Sequence, residues 1–203
     1  MYFDVGGVVI NDFSATNHWE GLKHELGVTT DEQSQQFETF WEKYADSVCT
    51  TQDVDDLLPA LTDELNLTFP AGYSLLAAFV RRFSTNEDIW PIVEEVQRTH
   101  KTGLLTNMYP RMFKKIEDAA LLPTGAKWDA LIDSSDIGHA KPSKEIYDIS
   151  QKEAGCAAED ILFIDNTFGH LKAAEELGWQ TFFYDSADTK KSSADLLSFL
   201  KSL

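Results

Sequence analysis

From residue 86 onward, short unbroken apolar runs alternate with helical stretches, and this alternation constrains the fold more than any other feature of the chain. The runs are Gly103-Leu104-Leu105-Thr106, Trp128-Asp129-Ala130-Leu131-Ile132, Ile161-Leu162-Phe163-Ile164-Asp165 and Thr181-Phe182-Phe183-Tyr184. Helical patterns near Ile89–His100, Arg111–Ala120, Ser143–Ala154, Gly169–Leu177 and Ser193–Leu200 separate and follow them. A strand that is apolar at consecutive positions is covered on both faces, which is the mark of a parallel sheet flanked by helices. With Tyr2–Val5 as a first strand, the expected architecture is α/β: a doubly wound parallel sheet of about five strands. Sheets of this kind bind ligands at the carboxyl ends of their strands, where the strand order reverses. Asp4, Thr106 and Asp165 all fall at such ends.

Residues 11–85 follow a different period. Trp19, Leu22 and Leu26 form an apolar stripe at helical spacing. So do Phe37, Phe40, Trp41 and Tyr44; then Val54, Leu57, Leu58, Leu61 and Leu65; then Leu75, Leu76, Phe79, Val80 and Phe83. Breaks fall at Gly27-Val28-Thr29-Thr30, Cys49-Thr50-Thr51 and Phe69-Pro70-Ala71-Gly72. The expectation is a compact bundle of about four helices with no strand, inserted into a core made of residues 1–10 and 86–203. Nearly all of its aromatic residues are assigned to packing.

Composition bears mainly on what the chain does not bind. The formal net charge is −17 at pH 7, which disfavours nucleic acid and anionic membranes, since both need clustered Lys and Arg. No apolar run reaches the ~18–20 residues that a membrane span needs. No basic segment followed by a long apolar stretch marks a signal peptide. Cys49 and Cys156 lie far apart with no CxxC pattern, so free thiols and a cytoplasmic location are expected. A phosphorylated ligand would need a local positive site in so acidic a chain.

The candidate chemistry lies at four places. Asp4 ends the first strand and is followed at once by Val5-Gly6-Gly7. Thr106-Asn107 ends a second strand, Lys141-Pro142 lies in a loop before a helix, and Asp165-Asn166 ends a third strand. Their order and context resemble the haloacid dehalogenase-like (HAD) superfamily, most of whose members are phosphatases. The resemblance covers essentially the whole chain. It implies a Rossmann-like core with residues 11–85 as the helical cap. It further implies Asp4 as the nucleophile that forms an aspartyl-phosphate, with Thr106, Asn107 and Lys141 holding the phosphoryl group. Mg²⁺ would be held by Asp4, the Gly6 carbonyl and Asp165. The physical chemistry agrees, because phosphoryl transfer depends on positioning and charge neutralisation, and Mg²⁺ favours hard oxygen ligands. The implied substrate is a small phosphorylated metabolite, such as a sugar phosphate. Taken singly, each residue has a plainer reading: a turn-capping Asp, a Thr-Asn helix cap, a surface lysine.

Two positions depart from the family pattern. Its phosphatases usually carry an acid/base Asp two residues after the nucleophile, where this chain has Gly6. The second acid of the fourth motif is Asn166 here. A positioned acid/base contributes ~10²–10⁴ in rate, so Gly6 admits three explanations. The leaving group needs little protonation, as in an anomeric or acyl phosphate; or another side chain substitutes, with Asp12, His18, His24 and His170 as candidates; or the site is weak and the protein is a binding or regulatory module. Dehalogenases of the superfamily also lack that Asp. They need a cap arginine near the substrate, however, and Arg81, Arg82, Arg98 and Arg111 all lie outside the early cap. The sequence is silent on oligomeric state.

Overall fold

The structure is a computed structural model in which residues 1–202 are described. A parallel five-stranded sheet forms the centre, made of β1 (Tyr2–Phe3), β4 (Gly103–Thr106), β5 (Ala130–Asp133), β6 (Leu162–Asp165) and β7 (Gln180–Phe183). Their order across the sheet is β5-β4-β1-β6-β7. The register pairs Phe3 with Leu104 on one side and with Ile164 on the other. The first strand is therefore central, and the order reverses around it. The Asp4 N–H continues the ladder by donating to the Ile164 carbonyl at 2.9 Å, which holds Asp4 beside the end of β6.

Strand periodicity divides the core between the two sheet faces. Phe3, Leu104 and Ile164 pack on one side with α5 (Trp90–Gln97), α6 (Met112–Asp118) and α10 (Thr189–Leu200). Tyr2, Leu105 and Phe163 pack on the other with α8 (Lys144–Ala154) and α9 (Phe168–Glu176). The inner strands β4 and β6 are buried at every position, whereas the edge strands β5 and β7 are partly exposed. A short helix α7 (Ser134–Ile137) follows β5.

Between β1 and β4 the chain forms α1 (His18–Glu25), α2 (Asp31–Val48), α3 (Leu58–Leu65) and α4 (Leu75–Val80), with a 3₁₀ turn at Val54–Leu57. Thr30 starts α2 with a capping box. Its hydroxyl accepts from the Gln33 N–H at 3.2 Å, and its own N–H donates to Gln33 Oε1 at 3.1 Å. Leu22, Phe37, Leu61, Leu76 and Phe79 from this segment are buried in the same apolar cluster as Phe3 and Leu104.

The expectation of no strand in this region needs correction. Ile10–Asn11 (β2) pairs antiparallel with Ser84–Thr85 (β3), so a two-stranded ribbon brackets the helices. Strands of two residues are too short to show a period of two, which is why the pattern missed them. Asn86 secures the return crossing by donating to the Val8 carbonyl at 2.7 Å and to Tyr184 Oη at 3.0 Å.

Glu25 at the end of α1 ties that helix to α4. It accepts from Tyr73 Oη at 2.7 Å, from Arg82 at 2.7 Å and from Arg81. Burial works against its charge, but these three donors outweigh it and hold its carboxyl at about 2. A carboxyl depressed from an ordinary value of 4.5 contributes stability above that value and loses it as pH falls through about 2. Glu25→Gln is therefore expected to cost about 1 kcal/mol at pH 7. The gap between wild type and variant should close as the pH is lowered from 4.5 to 2, read by urea unfolding at successive pH values. A gap independent of pH would contradict the ion-pair account.

Candidate active site

Asp4, Thr106 and Asp165 stand at the carboxyl ends of β1, β4 and β6 because those three strands are adjacent. All three are buried, and Asp165 is completely so. The loop Ala140–Ser143 brings Lys141 among them. Its Nζ lies 2.7 Å from Asp165 Oδ2 and 3.1 Å from Asp4 Oδ1, and it donates to the Leu105 carbonyl at 3.0 Å. The Phe163 ring closes the site beneath, with its centroid 5.1 Å from the ammonium. A lysine with no exposure and two carboxylate partners is no surface lysine; the structure settles that alternative.

These contacts set the electrostatics. Burial pushes the Asp4 carboxyl up to about 6, reinforced by Asp165 and opposed by Lys141. Asp165 feels the same burial, but Lys141 and His170 outweigh it and hold the group down at about 2. Lys141 is raised: burial disfavours its charge, and the two carboxylates more than compensate. The buried trio thus carries one cation against two acids, with Asp4 the more weakly held of the two.

Above the trio lies a cavity of about 200 Å³ whose lining includes Asp4, Gly6, Asp12, Thr106, Asn107, Asn166 and His170. Ile10, Phe83, Met108, Met112 and Ile116 supply an apolar wall. Lys141 and Asp165 lie beneath the lining. Asp165 is already engaged, since Oδ1 accepts from the Thr167 N–H at 2.7 Å and His170 Nδ1 lies 3.1 Å from Oδ2.

Asn107 has a structural task beside the amide donor expected of it: its Oδ1 accepts from the Lys141 N–H at 2.7 Å and its Nδ2 donates to the Lys141 carbonyl at 2.8 Å. That pair of bonds pins the lysine main chain across the gap between two loops, leaving one Nδ2 hydrogen for a ligand. Asn166 is similarly occupied, with Nδ2 donating to Ser14 Oγ and Ser186 Oγ, both at 2.9 Å. Ser186 Oγ in turn donates to the Gly7 carbonyl at 2.8 Å. Ser14 and Ser186 were not found from the sequence. A serine in a loop carries no pattern, and only the fold brings these two to Asn166.

The candidates for the place left by Gly6 separate clearly. Asp12 lines the cavity. Its Oδ1 accepts from the Ser14 N–H at 2.8 Å, a turn in which Asp bonds its own backbone two residues on. Burial pushes the Asp12 carboxyl above its usual range, against that bond. His170 stands against Asp165. His18 packs edge-on to Phe13 with centroids 5.8 Å apart, His24 is exposed, and neither lines the cavity.

The donors present suit a hard divalent cation. The Asp4 carboxylate and Gly6 face the cavity, and ligand atoms of Asp4, Asp165 and His170 all lie within 4.8 Å of one another. Lys141 alone leaves negative charge on Asp4 and Asp165 uncompensated. Oxygen-rich sites of this charge match Mg²⁺.

No family model matches the chain. Curated relatives do so in part, two of them as follows. Bifunctional epoxide hydrolase 2 of Sus scrofa is 23% identical over 135 residues, which is 63% of this chain and 24% of that protein. A D-ribitol-5-phosphate phosphatase of Bacteroides thetaiotaomicron is 35% identical over 54 residues, 27% of this chain and 26% of that protein. The matched stretches thus span about a quarter of each relative. Solved structures align over far more of the chain. A HAD family enzyme of Bacteroides thetaiotaomicron superposes with a TM-score of 0.73 at 18% identity, covering 91% of this chain and 92% of that one; its wild-type form was crystallised with magnesium and inorganic phosphate. A HAD-like family hydrolase of Porphyromonas gingivalis gives 0.69 at 17% identity, covering 97% and 96%. An L-2-haloacid dehalogenase gives 0.62 at 22% identity, covering 90% and 82%. The chain has the fold of the HAD-like enzymes. No helix among the described residues is long and apolar enough to cross a membrane.

Proposed function

We propose that this protein is a HAD-like hydrolase that cleaves a small phosphomonoester, with Asp4 as the nucleophile. The observation that carries this reading is the Asp4 carboxylate in the lining of a cavity, 3.1 Å from a fully buried ammonium. An Asp4 oxygen attacks phosphorus, and the ester oxygen leaves to give an aspartyl-phosphate; water then releases inorganic phosphate and restores the carboxylate. Thr106 offers its hydroxyl to a phosphoryl oxygen. Lys141 holds Asp4 and offsets the charge gathering on the phosphoryl group, and Asn107 keeps that lysine in place. Asp4, the Gly6 carbonyl and Asp165 would hold Mg²⁺, which supplies charge neutralisation at the phosphoryl oxygens. Residues 11–85 act as a cap that admits the substrate and excludes water. The Bacteroides phosphatase and the structure with magnesium and phosphate support the same chemistry. Dehalogenation has less support, because the cavity lining described above holds no arginine for a substrate carboxylate.

Beryllium fluoride with Mg²⁺ mimics an aspartyl-phosphate and tests the reading directly. The wild type is expected to bind it and to hydrolyse at least one member of a phosphomonoester panel, with activity abolished by chelation. Asp4→Asn is expected to bind no fluoroberyllate and to lose turnover by about 10³-fold or more. Equal behaviour of the two proteins would remove Asp4 from the reaction and point to a binding module.

A further inference from the structure

Gly6 leaves a space that is already filled. A Cβ built on Gly6 would lie 2.3 Å from Asp12 Oδ2, 3.1 Å from its Cγ and 3.7 Å from its Cβ. The Asp12 carboxylate therefore stands where the first atoms of a side chain at position 6 would stand. A tight reversal of the backbone brings it there. The Val5 carbonyl accepts from the N–H groups of Val9 and Ile10, both at 3.0 Å, and the Gly7 N–H donates to the Ile10 carbonyl at 2.8 Å. Asp12 follows this reversal, directly after β2.

We propose that Asp12 is the catalytic acid and base of the phosphatase reaction, delivered from further along the chain into the space that glycine at position 6 leaves open. The assignment rests on the phosphatase reading above. Asp12 lines the same cavity as Asp4 and Thr106. Its Oδ1 is fixed by the Ser14 N–H, and Ser14 Oγ is fixed in turn by Asn166 at the end of β6. The carboxylate is thereby held through its own loop and the loop that follows β6, while Oδ2 stays over Gly6.

In the first step an Asp4 oxygen bonds to phosphorus and the bond from phosphorus to the ester oxygen breaks. The electron pair of that bond goes to the leaving oxygen, which takes the Asp12 carboxyl proton and departs as an alcohol. In the second step water bonds to phosphorus and gives one proton to the Asp12 carboxylate. The bond from phosphorus to Asp4 breaks, its electron pair returns to Asp4, and inorganic phosphate leaves. The same geometry explains Gly6: any side chain there collides with the acid that replaces it. Of the explanations that the sequence left open, a substitute side chain accounts for both facts.

Relocating the acid tests the proposal. Asp12→Asn keeps the acceptor for Ser14, so its thermal unfolding should match wild type. It should lose about 10²–10⁴-fold in kcat on an alkyl phosphate. On 2,4-dinitrophenyl phosphate, whose leaving group needs no proton, formation of the phosphoenzyme should fall less than about tenfold. Gly6→Asp combined with Asp12→Gly should recover turnover of the alkyl ester, whereas Gly6→Ala with Asp12→Gly should not. Alkyl ester turnover by Asp12→Asn within about threefold of wild type would overturn the assignment. So would an equal loss in the rate of phosphoenzyme formation from the two esters, which marks a structural role. If wild-type protein neither binds fluoroberyllate nor turns over any ester, the phosphatase reading itself fails and the assignment falls with it; fluoroberyllate binding that persists in Asp12→Asn isolates the outcome to Asp12.

Discussion

Lys141→Met is expected to cost about 3–5 kcal/mol of stability and to abolish turnover. Lys141 is fully buried among Asp4, Asp165 and the Leu105 carbonyl. Methionine fills a similar volume but removes the cation in direct contact with both acids. Two carboxylates then face each other in a medium where water cannot screen them, and breaking a buried pair from one side leaves an uncompensated charge. At this chain length the loss corresponds to a fall of roughly 6–20 °C in the midpoint of thermal unfolding. Adding Asp165→Asn to Lys141→Met should recover most of the loss. The remaining acid, Asp4, already has a carboxyl pushed up to about 6 by burial and can meet the missing cation by taking a proton. Urea unfolding of the three proteins at pH 7 measures this. A loss below about 1 kcal/mol for the single variant would mean that the trio contributes no more than an exposed ion pair.

The second large effect is expected at Gly7, where a glycine is demanded twice over. Its φ is +74°, and a Cβ there would lie 2.1 Å from Asn166 Nδ2, 2.7 Å from Ser186 Oγ and 2.9 Å from Ser14 Oγ. Gly7→Ala must therefore accept left-handed strain of about 1–2 kcal/mol and also push apart the amide and hydroxyls that join the β1 loop to the end of β6, a further ~1–3 kcal/mol. Gly155 provides the control. It has φ +66° at the end of α8, with nothing within 4 Å of an added Cβ. Gly155→Ala should cost only the strain, about 1 kcal/mol, and leave activity unchanged. Gly7→Ala should cost about 2–5 kcal/mol in all and should also disturb the site. Equal losses for the two would mean that the Asn166 cluster adjusts freely.

The sheet was readable from the chain because its inner strands are buried on both faces, and β4 and β6 carry that burial as unbroken apolar runs. The helices between Trp19 and Phe83 were readable for a similar reason, since each buries one stripe. The ribbon of β2 and β3 was not. Two residues per strand carry no period, and the pairing depends on a contact between Ile10 and Thr85 that only the return of the chain creates.

The site divides along the same line. Asp4, Thr106 and Asp165 could be named because a strand end is a local feature, visible as a polar residue closing an apolar run. The partners that orient them are not local. Asn107 reaches the Lys141 main chain, and Asn166 meets Ser14 and Ser186, through loops from distant parts of the chain. No spacing rule links such residues.

Position 6 shows where one kind of information ends. The amino-acid order determined that this chain builds a parallel sheet with an acid at the end of its first strand, because burial and local turns follow from neighbouring residue types. It also determined that the usual place for a second acid has no side chain. Only the tertiary structure decided what occupies that place. The reversal at Val5–Ile10 and the clamp from Ser14 to Asn166 carry Asp12 back over Gly6, and the position of a side chain in space depends on the whole path of the backbone.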